Sequence, residues 1–226
     1  MNTRVKSTQT LIADRYDDAA TKLTHAFGAK TQKYQYVKAM IHIEEALKLL
    51  GVDLEDENFQ KTPARFIKYL AEFLQPIGSP HDLLGTDFKT KHVEYHGMVT
   101  QTNIPFRGVC AHHLLPFMGA VSIGYIPSKR VVGLSKLSRL VRAIGLKSPG
   151  IQEVQTDEIA DTIYDVLEPK GVIVVVSAIH SCMAARGVAV QNVPTITSTV
   201  RGVYRDVPAA REEFFSLIKQ SHLSSC

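Results

Sequence analysis

Apolar residues recur with two different periods along the chain, and these periods predict its helices and strands. Between residues 36 and 50 they return every three or four positions, as in a helix with one buried face, and Gly51 is placed to end that helix. A second helix is predicted over residues 62–74, because Thr62 can cap it and Pro63 suits its first position. The first half of the chain is therefore expected to be helical.

From residue 98 onwards, β-branched runs typical of strands mix with helical patterns. Strands are predicted at residues 98–106, 119–126, 171–177 and 195–205, and helices at 135–144, 152–167 and 208–219. The central order is strand, strand, helix, helix, strand, strand. This order predicts an α+β fold in which both helices pack on one face of an antiparallel sheet.

Three regions follow from these patterns. Residues 1–35 are polar and irregular and are interpreted as a mobile N-terminal arm, with partial helix as an open alternative. Residues 36–96 form an N-terminal helical region, and residues 97–226 form the sheet-containing domain.

Composition narrows the class of protein. The 226 residues are 45% hydrophobic and 21% charged, as in an ordinary globular protein, and the net charge is only +4. No Lys/Arg run resembles a nucleic-acid-binding tail. The longest apolar run, residues 171–179, is less than half of a membrane-spanning helix, and the N-terminus lacks a secretory signal. Neither nucleic acid nor membrane is an expected partner, and the expected compartment is the cytoplasm.

Cysteine and histidine cluster in two short segments. Cys110, Ala111, His112 and His113 are consecutive, and His180-Ser181-Cys182 follows far along the chain. Cysteine and histidine with two residues between them can bind one metal ion, and a distant cysteine can supply a third ligand. Three protein ligands leave a coordination position open for water, as in catalytic zinc sites.

Two other interpretations of this cluster stay open on the residues alone. A lone buried cysteine is more often a small apolar residue than a ligand, and a lone histidine often only forms a hydrogen bond. The third cysteine, Cys226, lies at the end of the chain, and an odd number of cysteines argues against a disulfide framework.

The same segments resemble the type I GTP cyclohydrolase family. Residues 110–117 (CAHHLLPF) are similar to its C-E-H-H-L-x-P-F motif, and residues 180–187 (HSCMAARG) are similar to its H-x-C-M-x-x-R-G motif. Further family-like motifs stand in order at 62–65 (TPAR), 124–127 (GYIP), 133–139 (GLSKLSR), 152–153 (QE) and 195–198 (TITS). The resemblance covers roughly residues 36–218.

The resemblance implies a tunnelling fold (T-fold), in which subunits join their sheets into a barrel and rings stack into a homodecamer with active sites between subunits. It implies that zinc is held by Cys110, His113 and Cys182. It also implies that His112 and His180 transfer protons, that Gln152 and Glu153 hold guanine, and that the ribose and triphosphate are surrounded by Ser135, Lys136, Arg139 and Arg186. His180 and Cys182 are expected to face one side of an extended segment, and Glu153 is expected to be buried.

The implied reaction is zinc-dependent hydrolysis of GTP, the activity of a hydrolase acting on cyclic amidines. Water attacks C8 of guanine, the imidazole ring opens, formate leaves, and the ribose rearranges to give 7,8-dihydroneopterin triphosphate. Histidine titrates in the range needed for the proton transfers. This is the first step towards tetrahydrofolate, a reduced pterin or a deazapurine, and the residues do not distinguish these destinations.

The chain departs from the family pattern at a few positions. Ala111 replaces the common Glu between Cys110 and His112. Ser177 and Ile179 stand where relatives often carry an acidic residue and Thr, and the loop at 145–150 is about one residue longer than usual. None of these changes removes an implied ligand, so they bear on rate and fine specificity.

Two rival interpretations remain. One is a related enzyme acting on a pterin or deazaguanine, against which the two cysteine ligands and the Ser135-Lys136-Leu137 segment argue. The other is a non-catalytic or altered-specificity T-fold zinc protein, for which His180 and Arg186 would not be needed.

Overall fold

The structure is a computed structural model that describes residues 8–27, 32–74, 78–85, 87–89, 95–147 and 149–223. The chain forms two compact units, which divide between residues 75 and 76. Cys226 lies outside the described residues. None of the helices in the described ranges is long and apolar enough to span a membrane.

The first unit consists of helices α1 (Thr8–Phe27), α2 (Lys33–Leu49) and α3 (Thr62–Leu74). Its core is formed by one face of each helix and includes Tyr16, Ala20, Met40 and Ile67. The helices predicted at 36–50 and 62–74 are confirmed. Gly51 has a φ of 83°, a conformation that glycine adopts at little cost, directly after the end of α2.

Helix α1 was not predicted as a defined element, because the N-terminal stretch was interpreted as an irregular arm with partial helix as an open alternative. Residues 8–27 are helical, and Tyr16, Ala20 and Leu23 bury one narrow face of the helix. Polar residues surround this face, so the helical period is weak in the sequence and the helix depends on packing against its neighbours.

The second unit holds the sheet-containing domain. Its helices are α4 (Pro80–Leu84), α5 (Leu134–Lys147), α6 (Gln152–Leu167), α7 (Ser181–Ala184), α8 (Val203–Asp206) and α9 (Pro208–Leu223). Its strands are β1 (Asp87–Lys89), β2 (Val99–Val109), β3 (Pro116–Ile126), β4 (Arg130–Val132), β5 (Gly171–His180) and β6 (Thr195–Gly202). Leu84 of α4 is fully buried in this core, although the sequence analysis assigned it to the N-terminal helical region.

Four long strands form an antiparallel sheet in the order β2-β3-β5-β6. One face of this sheet is covered by α5 and α6, whose apolar residues Leu140, Val141 and Ile163 pack in the same core as Val121 and Val174. The opposite face packs against α9. The α+β class and the antiparallel sheet with both helices on one face are confirmed.

Several predicted boundaries differ from the structure by a few residues, and two of these differences have a direct explanation. Strand β5 continues to His180, beyond the predicted end at residue 177, because it pairs with β3 as far as Phe117. The last strand ends at Gly202 rather than 205, since Gly202 has a φ of 57° and the chain turns there into α8.

Candidate metal centre

Strand pairing brings the cysteine and histidine segments together. Val109 at the end of β2 pairs with Pro116 of β3, and Phe117 of β3 pairs with His180 of β5. Cys110 directly follows β2, and Cys182 lies in α7 directly after β5. Strand β3 therefore places both cysteines at the same end of the sheet.

Cys110, His113 and Cys182 form a group of potential metal ligands. One ligand atom from each residue lies within 4.8 Å of the others. Cys110 is buried, Cys182 is half-buried and His113 is exposed. Two thiols and an imidazole converging from two segments are the donor set that zinc prefers, so the residues present fit that ion.

Backbone hydrogen bonds hold the loop that carries the first two ligands. The Cys110 N–H donates to the Leu115 carbonyl at 2.9 Å, and the Leu114 N–H donates to the Cys110 carbonyl at 2.9 Å. Gly150 joins the loop to the start of α6, because its N–H donates to the Val109 carbonyl and its carbonyl accepts from Ala111. The ligand loop is therefore tied both to β3 and to the segment before Gln152.

The thiol of Cys110 lies close to two imidazoles. Its Sγ is 3.7 Å from Nδ1 of His112 and 3.6 Å from Nδ1 of His113. Burial, together with the neighbouring Cys110 thiol, raises the pKa of the Cys182 thiol. Two neighbouring thiols are difficult to deprotonate, because the two negative thiolates repel each other. A bound cation would offset this repulsion.

His180 lies beside this group, in a constrained position. Its Nε2 is 2.8 Å from Oε1 of Gln152, and its ring stacks on Phe117 with centroids 4.5 Å apart and planes at 11°. Burial lowers the pKa of His180, and the negative charge of Glu153 opposes that shift. His180 and Cys182 were expected to share one extended segment. The strand instead ends at His180, and Cys182 lies in the helical turn that follows.

The residues expected to hold guanine differ in their surroundings. Gln152 is only 1% exposed, and its side-chain amide donates hydrogen bonds to the backbone carbonyls of Val176 and Thr195. Glu153 lies in the first turn of α6 and is exposed in the single chain, contrary to the expectation of a buried carboxylate. This difference arises because Glu153 is on the outer face of a helix whose inner face meets the sheet.

The residues expected to bind the ribose and triphosphate fall into two places. Arg186 is exposed, just after α7 and near the ligand group in sequence. Ser135, Lys136 and Arg139 lie in the first turns of α5, whose beginning is next to the start of β2 because Gln101 Nε2 donates to Ser138 Oγ at 3.4 Å. The start of β2 is the end away from Cys110.

The far end of α5 is the one that approaches the ligand loop. Gly145 lies against the carbonyl of Arg107, so close that any side chain there would collide with it. Ser135 and Lys136 are a helix length away from that end, and at 1.5 Å per residue the separation is about 15 Å. A single chain therefore does not bring Lys136 to the ligand group.

None of the departures from the family pattern replaces a potential metal ligand. Ala111 is exposed, Ser177 is half-buried in β5, and Ile179 is exposed. The sequence analysis missed Phe117 and Thr197 as residues that surround His180 and Gln152. Phe117 belongs to the same family-like motif as His112 and His113, at residues 110–117, and this position in the sequence could have indicated a place near the site.

An antiparallel α+β domain with a thiol–imidazole group near a constrained histidine defines a class of protein with a potential metal site. A family model described as GTP cyclohydrolase I matches residues 39–219. The chain is 44% identical over 183 residues to GTP cyclohydrolase 1 of Dehalococcoides mccartyi, covering 80% of this chain and 95% of that protein. The corresponding protein of Halalkalibacterium halodurans is 41% identical, with 84% and 99% covered.

Among solved structures, the crystal structure of the archaeosine synthase QueF-Like in the apo form covers 48% of this chain and 97% of that chain. Its TM-score is 0.39 and its sequence identity is 16%, which is too distant to define the fold. The match to the family model spans most of the chain. The chain belongs to the GTP cyclohydrolase I family, so the expected family is confirmed.

Proposed function

We propose that the protein is a zinc-dependent GTP cyclohydrolase I that converts GTP and water into formate and 7,8-dihydroneopterin triphosphate. The observation that carries the proposal is the Cys110, His113 and Cys182 group, whose ligand atoms lie within 4.8 Å of one another next to His180. Membership of the family supports the reaction, and the chain keeps the residue types that each step requires.

Cys110, His113 and Cys182 would hold the zinc ion. When bound, zinc supplies a Lewis acid that makes water reactive near neutral pH. Three protein ligands leave space for that chemistry, whereas a purely structural site would have four. The half-exposed setting of Cys182 and His113 leaves the group accessible to a substrate from outside the chain.

His180 and His112 are proposed to move protons. Attack at C8 pushes electron density onto N7 of guanine, which must gain a proton as the ring opens. His180 lies two residues before Cys182, and burial lowers its pKa. Its imidazole is proposed to accept a proton from the attacking water and to pass that proton to N7. His112 is proposed to move protons in the later hydrolysis step. Its Nδ1 lies 3.7 Å from Sγ of Cys110.

Glu153 is proposed to recognise the base. Guanine presents N1–H and the 2-amino group as adjacent donors, and one carboxylate can accept from both. Glu153 is close enough to His180 for its charge to affect the pKa of that imidazole, so the base would lie with C8 towards the ligand group. A partner subunit packed over α6 would remove Glu153 from water.

Arg186, Lys136 and Arg139 are proposed to bind the triphosphate, and Ser135 the ribose or phosphate oxygens. Charge-assisted hydrogen bonds suit these anionic groups. Since Lys136 is about 15 Å of helix away from the ligand end of the same chain, one site needs α5 from a second subunit. Strands β2 and β6 are the edges of the four-stranded sheet, and joining such edges between subunits gives a T-fold barrel ring, proposed here as a decamer.

The proposal is tested by incubating the purified protein with GTP and measuring both products. Formate and 7,8-dihydroneopterin triphosphate should appear in equal amounts, and metal analysis should find one zinc per subunit. Cys182→Ala should lose most of the zinc and the activity together, whereas Ser181→Ala, a neighbouring control, should keep both. Stoichiometric zinc in Cys182→Ala, or a parent protein that consumes no GTP, would contradict the proposal.

A further inference from the structure

The side-chain amide nitrogen of Gln152 is occupied by acceptors inside the chain. Its Nε2 donates to the carbonyl of Thr195 at 3.0 Å, to the hydroxyl of Thr197 at 3.1 Å and to the carbonyl of Val176 at 3.3 Å. An amide nitrogen has two hydrogens, so no donor is left for a ligand. Gln152 is also only 1% exposed, which leaves no room for guanine against its side chain.

The neighbouring hydroxyls agree with this orientation of the amide. Thr156 Oγ1 donates its one proton to the backbone carbonyl of Gln152 at 2.7 Å. The 2.6 Å contact between Thr156 and Thr197 therefore uses the proton of Thr197, and Thr197 presents a lone pair to the Gln152 amide. Carbonyl oxygens can never donate, so the amide nitrogen must face Thr195 and Val176 and the amide oxygen must face His180.

The orientation of Gln152 determines which nitrogen of His180 carries the proton. Oε1 of Gln152 can only accept, so Nε2 of His180, 2.8 Å away, must be the donor. In the neutral imidazole, Nδ1 is then the unprotonated nitrogen. No hydrogen bond to Nδ1 is found among the residues that the structure describes. The ring also stacks on Phe117, with centroids 4.5 Å apart, which favours this plane of the imidazole.

We infer that Gln152 is a positioning residue that holds His180 as the Nε2–H tautomer, so that Nδ1 is the atom through which His180 exchanges a proton with the substrate. The inference rests on the proposed function for its last part and replaces the expected contact between Gln152 and guanine. It assigns base recognition to Glu153 without help from the Gln152 side chain. Partners of this kind fix the tautomer and orientation of an active imidazole.

The tautomer is measured directly by solid-state ¹⁵N NMR of zinc-loaded, ¹⁵N-histidine-labelled protein. The His180 signals are identified by their loss in His180→Ala. The parent should show a protonated Nε2 and an unprotonated Nδ1, and Gln152→Met should give a mixture of tautomers. A protonated Nδ1 in the parent would overturn the inference, and this measurement does not require turnover of GTP.

Kinetics separates positioning from substrate binding. Gln152→Met should lower kcat by about 10- to 100-fold with little change in the KM for GTP and with normal zinc content. Added to His180→Ala, the same substitution should cost less than about twofold, because the residue it positions is already absent. A guanine ligand would instead raise KM in both backgrounds, and that result would overturn the inference.

The matched control is Gln155→Met, one turn along the same helix. Gln155 is also buried, and its amide makes one weak contact, to the carbonyl of Ile144 at 3.5 Å. Gln155→Met should keep the kcat of the parent. An equal loss in both variants would assign Gln152 a merely structural role. A parent that releases no formate refutes the proposed function, while the NMR result still decides the tautomer.

Discussion

At His180, three different interactions meet on one imidazole ring. Phe117 fixes the plane of the ring, Gln152 fixes one nitrogen, and the strand end fixes the distance to Cys182. A side chain constrained in this way loses little entropy when it acts on a substrate, which is a property of groups that transfer protons. The nearby His112 is exposed and has fewer constraints.

His180→Ala should therefore keep its zinc and its oligomeric state but lose at least about 10²-fold in kcat, the lower range for general acid–base catalysis. The measurement is formate release under saturating GTP, with zinc determined on the same sample. His42→Ala in the first unit, an exposed histidine, is the control and should behave like the parent. If His180→Ala is fully active, the proton-transfer role passes to His112.

Glu153→Gln should strongly reduce turnover of GTP, because one acceptor oxygen is replaced by a donor that meets the N1–H and amino donors of guanine. Sites built on such pairing discriminate by roughly 10⁴-fold, since a mismatched polar group is left without a partner. The alternative is that Glu153 only favours the start of α6, at about 0.3–1 kcal/mol. Thermal unfolding together with GTP kinetics separates the two, and normal kinetics with slightly lower stability would support the alternative.

At the scale of elements, a buried carboxylate joins α1 to α2. Glu44 of α2 is 2% exposed, accepts from Tyr16 at 2.5 Å and from Lys48 at 2.7 Å, and lies 3.3 Å from Arg15. Burial by itself raises the pKa of Glu44. The hydrogen bonds from Lys48 and Tyr16 and the two positive charges outweigh burial, so the pKa lies below its ordinary value of 4.5.

Because the pKa of Glu44 is lower in the folded than in the unfolded state, its contribution to stability is present above about pH 4.5 and is lost as the pH falls below that value. Glu44→Gln should reduce the free energy of unfolding by about 1–3 kcal/mol at pH 7, since charged hydrogen bonds are lost. The difference from the parent should shrink below pH 4.5. Urea unfolding followed by circular dichroism at fixed protein concentration measures both effects.

Glu45→Gln is the matched control for that experiment. Glu45 is the next residue, its side chain is 64% exposed, and its Oε2 lies 3.4 Å from Nδ1 of the exposed His42. An exposed pair of this kind contributes little to stability. A loss of stability in Glu45→Gln as large as that in Glu44→Gln would contradict the role given to the buried carboxylate.

At the scale of the whole molecule, the two halves of the proposed site lie at opposite ends of α5. Cys110, His113 and Cys182 are at one end, and Lys136 is at the other. The proposed site, which uses both groups, therefore requires neighbouring copies of the chain. Light scattering should show a large ring and no active monomer near 25.0 kDa. A stable, active monomer would contradict the proposed assembly.

Subunit mixing tests the shared site more sharply. His113→Ala and Lys136→Ala should each be nearly inactive alone, because each lacks one half of every site. If the halves come from different subunits, refolding the two variants together should restore about a quarter of the parent activity, the statistical share of sites with both halves intact. Mixtures of either variant with itself are the controls. No recovery in the mixed sample would place both halves of the site in one subunit.

Local patterns in the sequence determined much of this protein. Helix α6 begins and ends where its apolar period predicts, and α3 begins at Thr62 as predicted, because these signals act within a few residues. The three residues that the family resemblance implies as zinc ligands also lie close together in space, and that resemblance is carried by motifs in the sequence. Helix α1 was missed because its narrow buried face depends on neighbouring helices.

Tertiary structure alone decided how the site is arranged. Gln152 and His180 are 28 positions apart, and their contact depends on the packing of α6 against β5 and β6, which no local pattern encodes. The pairing register of β3 with β5 places Phe117 against His180. The burial of Gln152 and the exposure of Glu153, adjacent in sequence, follow from which face of α6 meets the sheet. Residue types therefore established the chemistry of the site, and packing assigned the individual roles because hydrogen-bond partners and solvent exposure are properties of the folded chain.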